Sequence, residues 1–256
     1  MLQKEKEKFA DCNILEGMTS ISAVLNSGGE NDRKILEIRV DASKQKAKAK
    51  ELGYLLAKSK ALGFPIRYVT AEEIEADAIG STHGGILAYC APRTIPVLTA
   101  ERIIPKSFYV FLEGVEDPYN FGYTLRSLYA AGVTGVILPP RNWMSAAGVV
   151  ARASAGASEL IPMYTASSDE VITLFKEKGY QILCAGIRDS DSVFDEHFSY
   201  PVLLVIGGEK RGISRNILDQ ADQIVRIDYG REFRGSLSAA SAATVMAFEI
   251  FRQNKL

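Results

Sequence analysis

The chain is 256 residues long, 47% hydrophobic and 24% charged, with 30 basic against 31 acidic residues and a net charge of −1. That composition excludes collagen-like, low-complexity and wholly disordered chains, and bulk charge does not announce a nucleic-acid binder. No apolar run reaches the roughly 20 residues needed to cross a bilayer. Residues 1–8 alternate charge where a leader peptide needs an apolar centre, so a cytoplasmic location is expected. Cys12, Cys90 and Cys184 are far apart, and the two histidines, His83 and His197, are not at metal-ligand spacing. Neither a disulfide framework nor a zinc site is expected, and no metal is assigned.

In chain order, the first 95 residues read as a small α/β unit. Residues 35–40 have strand character, 44–62 form a lysine-rich helical stretch, and 64–69 are a second strand. Thr70 and Glu73 make a capping-box pattern for a short helix, and His83-Gly84-Gly85 leads into an apolar strand at 86–90. Lys44, Lys46, Lys48 and Lys50 spread around a helix axis and read as a solvated surface. Residues 91–105 carry Pro92, Pro96 and Pro105 and are the expected linker.

From residue 106, apolar strands alternate with helices. Strands are expected at 108–112, 135–138, 160–164, 181–185, 202–206 and 224–227. Helices are expected at 120–131, 143–155, 168–178, just after Ser214, and over a closing stretch to about Arg252. Fully apolar strands in that rhythm indicate a parallel sheet covered on both faces. Ligands of such sheets sit in the loops beyond the carboxyl ends of the strands.

Three of those loops carry unusual residues. In the first, Asp117-Pro118-Tyr119-Asn120-Phe121-Gly122 precedes Arg126. Asn120 is placed to cap the following helix, and Arg126 lies off the apolar stripe of Phe121, Leu125, Leu128 and Tyr129. In the second, Gly207-Gly208-Glu209-Lys210-Arg211-Gly212 lets backbone approach closely, with Ser214 as the next cap. It lacks both standard phosphate-loop patterns. In the third, Gly235-Ser236-Leu237-Ser238-Ala239-Ala240 crowds small residues at a helix start, where Ser236 or Ser238 serves as cap.

Together and in this order, the three loops resemble the SpoU/TrmH family of RNA ribose 2′-O-methyltransferases, of the SPOUT class. The matching patterns are Asp-Pro-x-Asn-x-Gly-x-x-x-Arg, Gly-x-Glu-x-x-Gly, and a Ser-Leu motif before the last helix. Residues 14–95 more loosely resemble the ribosomal-protein-like RNA-binding domain that many members carry.

The resemblance implies an α/β fold in which a SPOUT-type parallel sheet with a C-terminal trefoil knot (106–256) follows a small α/β RNA-binding domain (1–95). It implies S-adenosylmethionine-dependent methylation of a ribose 2′-hydroxyl in ribosomal or transfer RNA, by a homodimer formed through the knot. Cofactor contacts fall at Gly207, Ile227 and Leu237. Arg126 is the implied catalytic residue, working with the substrate phosphate. Asn120 positions Arg126 or the ribose, Glu209 holds its loop or a basic partner, and Ser236 helps fix the substrate. Ser238 stands where the family has asparagine, and Ile227-Asp228-Tyr229 where it has Ile-Pro-Met. The Ser238 replacement motivates an alternative, an RNA-binding protein that keeps the fold without catalysis. A nucleotide- or metabolite-binding α/β protein rests only on the 207–212 loop.

Overall fold

The computed structural model describes residues 11–29, 31–141 and 146–255. Residues 1–8 and the first three positions of the helix expected at 143–155 lie outside them. By contacts the chain divides into two units, each of which takes two pieces of sequence: Met1–Thr94 with Asn142–Leu160, and Ile95–Arg141 with Ile161–Leu256.

In the first unit, strands β1 (Asn13–Glu16), β2 (Ile35–Asp41), β3 (Ile66–Val69) and β4 (Ile86–Cys90) form a sheet in the order β1-β4-β2-β3. Only the β2–β3 pair is parallel. Helices α1 (Gly17–Leu25), α2 (Ala49–Leu62) and α3 (Ala71–Asp77) accompany it. β1 and α1 have no counterpart in the sequence reading. α2 begins five residues later than expected, since Ala42–Lys44 is a 3-10 turn capped by Asp41, whose carboxylate accepts from the Ser43 N–H. α3 carries the full capping box, with Thr70 accepting from the Glu73 N–H and the Glu73 carboxylate accepting from the Thr70 N–H. His83 is buried. Its Nδ1 accepts from the Gly85 N–H at 3.0 Å, and its Nε2 lies 3.1 Å from a Glu75 carboxylate oxygen.

The short helices α5 (Ala147–Ala153) and α6 (Ala157–Leu160) complete this unit, although the sequence reading places them in the second domain. Packing and charge explain the difference. Ala151 joins the core of Leu15, Ile38 and Leu55, and a side chain at Gly148 would put its first carbon 2.3 Å from the Ile14 carbonyl oxygen. Glu159 is buried against Arg33 at 2.9 Å, with their side chains 3% and 0% exposed. Asn31 donates to the same carboxylate, and Arg33 donates onward to Asn13 and the Ala91 carbonyl. A buried carboxylate requires such partners, so the 142–160 segment is held where Arg33 is.

The second unit holds a fully parallel sheet. Its strands are β5 (Phe108–Glu113), β6 (Gly135–Leu138), β7 (Met163–Thr165), β8 (Gln181–Ala185), β9 (Asp191–Ser192), β10 (Val202–Gly207) and β11 (Gln223–Arg226). Among the described residues their order is β7-β6-β5-β10-β8-β11-β9. Helices α4 (Pro118–Ala130), α7 (Ser168–Glu177), α8 (Arg215–Leu218) and α9 (Ala239–Asn254) cover it. The chain runs outward from β5 through β6 to β7, then resumes on the other side of β5. The β5–β10 boundary is therefore the switch point at which ligands of parallel sheets bind. α9 packs along α4, with the Thr244 hydroxyl donating to Ser127 at 2.7 Å.

Two expectations change here. Residues 95–105 are built into the second unit rather than free: Leu98 and Ile103 are buried, and Val97 bridges to Thr165. The α4 stripe is Phe121, Thr124, Leu125 and Leu128, while Tyr129 is exposed.

Candidate active site

The first loop begins where β5 ends at Glu113 and closes on the start of α4. Asp117, not Asn120, caps α4: its carboxylate accepts from the Asn120 N–H at 2.8 Å, with Pro118 in the first turn. That frees the Asn120 side chain, whose Nδ2 donates to Glu209 Oε1 at 2.7 Å. Residues 89 positions apart are thereby joined across the switch point. Both line a cleft of about 380 Å³ with Gly114, Val115, Glu116, Asp117 and Lys210.

The second loop is compact because backbone packs on backbone. The Gly208 N–H donates to the Glu113 carbonyl at 2.8 Å, and a first side-chain carbon at Gly208 would sit 1.9 Å from the Gly114 oxygen. At Gly207 that carbon would sit 2.3 Å from the carbonyl carbon of Gly212, which itself adopts a positive φ of 65°. The glycines are thus required by the loop's own folding as much as by any ligand. Ser214 stands at the N-cap of α8 without a side-chain capping bond, and its N–H donates instead to Glu113 Oε2 at 2.8 Å. Glu113 also accepts from the Ser168 hydroxyl at 3.1 Å, and so ties the end of β5 to the starts of α7 and α8. Nothing in the sequence marks it beyond its place at a strand end.

A second cleft of about 240 Å³ opens at the ends of β8, β10 and β11. Gly207, Ile227 and Leu237, the three expected cofactor contacts, all line it, as do Ser236 and Glu209. Glu209 therefore belongs to both clefts. The walls pair small residues (Ala185, Gly186, Ala239 and Ala242) with aliphatic ones (Ile187, Ile206 and Met246). This lining fits S-adenosylmethionine: aliphatic faces suit an adenine and a methionine chain, and small residues leave backbone groups open to polar edges. Burial, reinforced by the charges of Glu113 and Asp222, pushes the Cys184 thiol up to about 12, so no thiolate is available nearby.

The third loop, residues 228–237, is exposed throughout. The Tyr229 hydroxyl accepts from the Leu237 N–H at 3.2 Å, and Tyr229 itself lines the second cleft. Ser238 caps α9, its hydroxyl accepting from the Ser241 N–H at 3.2 Å, and it belongs to neither lining. Asparagine and serine cap helices about equally well, so Ser238 keeps the capping role at that end of α9 while lacking the amide donor of an asparagine.

The structure thus gathers Asn120, Glu209, Ser236, Gly207, Ile227 and Leu237 at one end of the sheet. It does not bring Arg126 to them. That side chain stands exposed on α4, outside both linings, and makes no hydrogen bond or ion pair with another described residue. Among the described residues, no group of three or more His, Cys, Asp or Glu side chains could hold a metal ion. None of their helices is long and apolar enough to cross a membrane.

Comparison with known proteins gives a consistent result. Residues 107–248 match the SpoU rRNA Methylase family, and residues 14–96 match the RNA 2′-O ribose methyltransferase substrate binding family. A Staphylococcus saprophyticus protein assigned to the TrmH family of tRNA/rRNA methyltransferases is 34% identical over 68% of this chain and 72% of its own length. The 23S rRNA (guanosine-2′-O-)-methyltransferase RlmB of Shewanella oneidensis is 28% identical over 95% of this chain and 98% of its own. An AdoMet-bound rRNA methyltransferase from Sinorhizobium meliloti shares the fold with a TM-score of 0.78 at 24% identity, covering 98% of this chain and 90% of that one.

Proposed function

The chain belongs to the SpoU rRNA methylase family and transfers a methyl group from S-adenosylmethionine to a ribose 2′-hydroxyl of RNA; from that premise we propose that its substrate is ribosomal RNA and that its site is shared between two copies. The near full-length similarity to a 23S rRNA enzyme supports the first part, together with a substrate-binding module at residues 14–96. The observation that carries the second is the place of Arg126, exposed and apart from the clefts on its own chain.

When bound in the second cleft, the cofactor supplies a methyl group on a positively charged sulfur. Gly207, Ile227 and Leu237, which line that cleft, would hold it there. Glu209, common to both clefts, accepts from Asn120 and keeps the first and second loops in register. Ser236, on the lining of the second cleft, would help fix the substrate. Arg126 of a second copy completes the site by holding the substrate phosphate and orienting the 2′-hydroxyl. A guanidinium, planar and rich in hydrogen-bond donors, suits orientation and charge stabilisation rather than proton abstraction.

Outward aromatic side chains on paired helices support the dimer: Tyr119 and Tyr123 on α4, Phe248 and Phe251 on α9. The C-terminal trefoil knot is part of the same proposal, supported by a last helix that returns to pack on α4.

The test is incorporation of labelled methyl into ribosomal RNA and transfer RNA from cells lacking the protein, followed by nucleoside analysis. A 2′-O-methylated nucleoside in large-subunit RNA is expected. Label confined to transfer RNA would redirect the substrate, and its absence from both would defeat the reading.

A further inference from the structure

The exposed 228–237 segment has more internal order than a connecting loop needs. Phe233 is 58% exposed, yet its ring packs on Tyr229, with centroids 5.8 Å apart at 57°. The same ring lies over Gly235, where a side chain's first carbon would come within 2.4 Å of Phe233 Cζ. Tyr229 in turn holds the Leu237 N–H and lines the second cleft. One exposed apolar side chain on a surface needs no explanation. A ring seated on a glycine, braced by a second ring and anchored to the cofactor cleft, is a prepared surface.

Charge around it says what the surface is for. Asp228 is engaged by Arg226 at 2.9 Å, which leaves Arg231 and Arg234 flanking Phe233 against the single acid Glu232. An exposed aromatic ring with one arginine two positions before it and another just after it in the chain supplies the two group types that an unstacked nucleobase and its phosphates call for. Any ribose presented to the second cleft carries its base within a few atoms of the cleft mouth.

We propose that Phe233, braced by Tyr229 over Gly235, stacks on a nucleobase of the RNA at the target site and so helps hold that nucleotide at the cleft. This rests on the RNA methyltransferase reading above. Arg231 and Arg234 hold the adjoining phosphates. The order of the pair before RNA arrives lowers the cost of ordering the loop on binding.

The experiment measures tritiated methyl incorporation into total RNA from cells lacking the protein, for the parent and for Phe233→Ala, Phe233→Leu and Phe233→Trp. Phe233→Ala and Phe233→Leu should raise KM for RNA about 5- to 150-fold, the range seen when a stacked base loses its aromatic partner. Phe233→Trp should stay near the parent, kcat should change little, and calorimetric affinity for S-adenosylmethionine should not move. Leucine performing as well as tryptophan would make the ring mere apolar bulk and overturn the proposal. So would weakened cofactor binding, which would make Phe233 part of the cofactor site, or a changed oligomeric state, which would make it a contact between copies. An inactive parent would overturn the enzymatic reading and this one with it; an active parent matched by Phe233→Ala overturns this one alone.

Discussion

The tightest positions in the site are glycines facing backbone. Valine at Gly207 would force its first carbon onto the peptide of Gly212, which cannot swing aside as a side chain would. The Gly207→Val variant should therefore lose cofactor binding by distorting its own loop, and it should also lose stability. Overpacking typically costs about 1–3 kcal/mol, so a fall of several degrees in Tm should accompany the loss in calorimetry. A variant that melts with the parent yet cannot bind would show that the new side chain enters the cleft instead. Arg126 presents the opposite case, an exposed side chain without hydrogen-bond or ion-pair partners among the described residues. Lysine there would keep the charge but lose the planar fork that can hold a phosphate and a ribose oxygen at once. Both Arg126→Lys and Arg126→Ala should lower single-turnover methyl transfer on the order of 100- to 1,000-fold, with Tm and cofactor affinity unchanged. A lysine variant of near-parental rate would reduce Arg126 to surface charge.

Among the elements, those specified by local pattern match the sequence reading closely. The apolar strands β5, β6, β8 and β10 and the capping-boxed helices α3 and α7 fall within a residue or two of expectation. What the sequence conceals is partnership. The choice between Asp117 and Asn120 as cap depends on Glu209, which lies on another strand's loop and draws the asparagine away. β1 is a short strand whose pairing with β4 is long-range, and α1 has neither a side-chain N-cap bond nor an acidic first turn to announce it. The three loops were legible as a set because their glycines and motif residues lie close together in sequence. Glu113 and Tyr229 were not: Glu113 acts through hydrogen bonds from Ser168 and Ser214, both far along the chain, and Tyr229 through a single bond from the Leu237 N–H. The Arg33–Glu159 pair is likewise invisible before folding, and it carries a strong expectation. Removing either partner leaves a buried charge uncompensated, so Arg33→Ala or Glu159→Ala should each cost about 3–5 kcal/mol in denaturant unfolding. The double variant should cost clearly less than the two single losses combined. Strict additivity would mean that the two charges do not depend on each other.

At the level of the whole molecule, a cut at residue 95 does not separate the two units. A fragment spanning 96–256 would keep α5 and α6 but lose the Leu15, Ile38 and Leu55 core against which Ala151 packs, and with it Arg33. Such a fragment should bind a hydrophobic dye and self-associate in sedimentation. Replacing residues 146–160 by a short polar linker should suppress both effects, and an equally well-behaved unmodified fragment would contradict this account. The same interleaving sets a schedule for synthesis. The ribosome has delivered the whole of Met1–Thr94 long before Glu159 emerges, so Arg33 must wait for its counter-ion while 65 further residues are added. At about 5–20 residues per second that delay is on the order of 3–13 s. During that interval β5 and β6, which belong to the other unit, are already leaving the exit tunnel. Neither unit can therefore finish before the other begins, and the nascent chain must keep two incomplete cores apart at once.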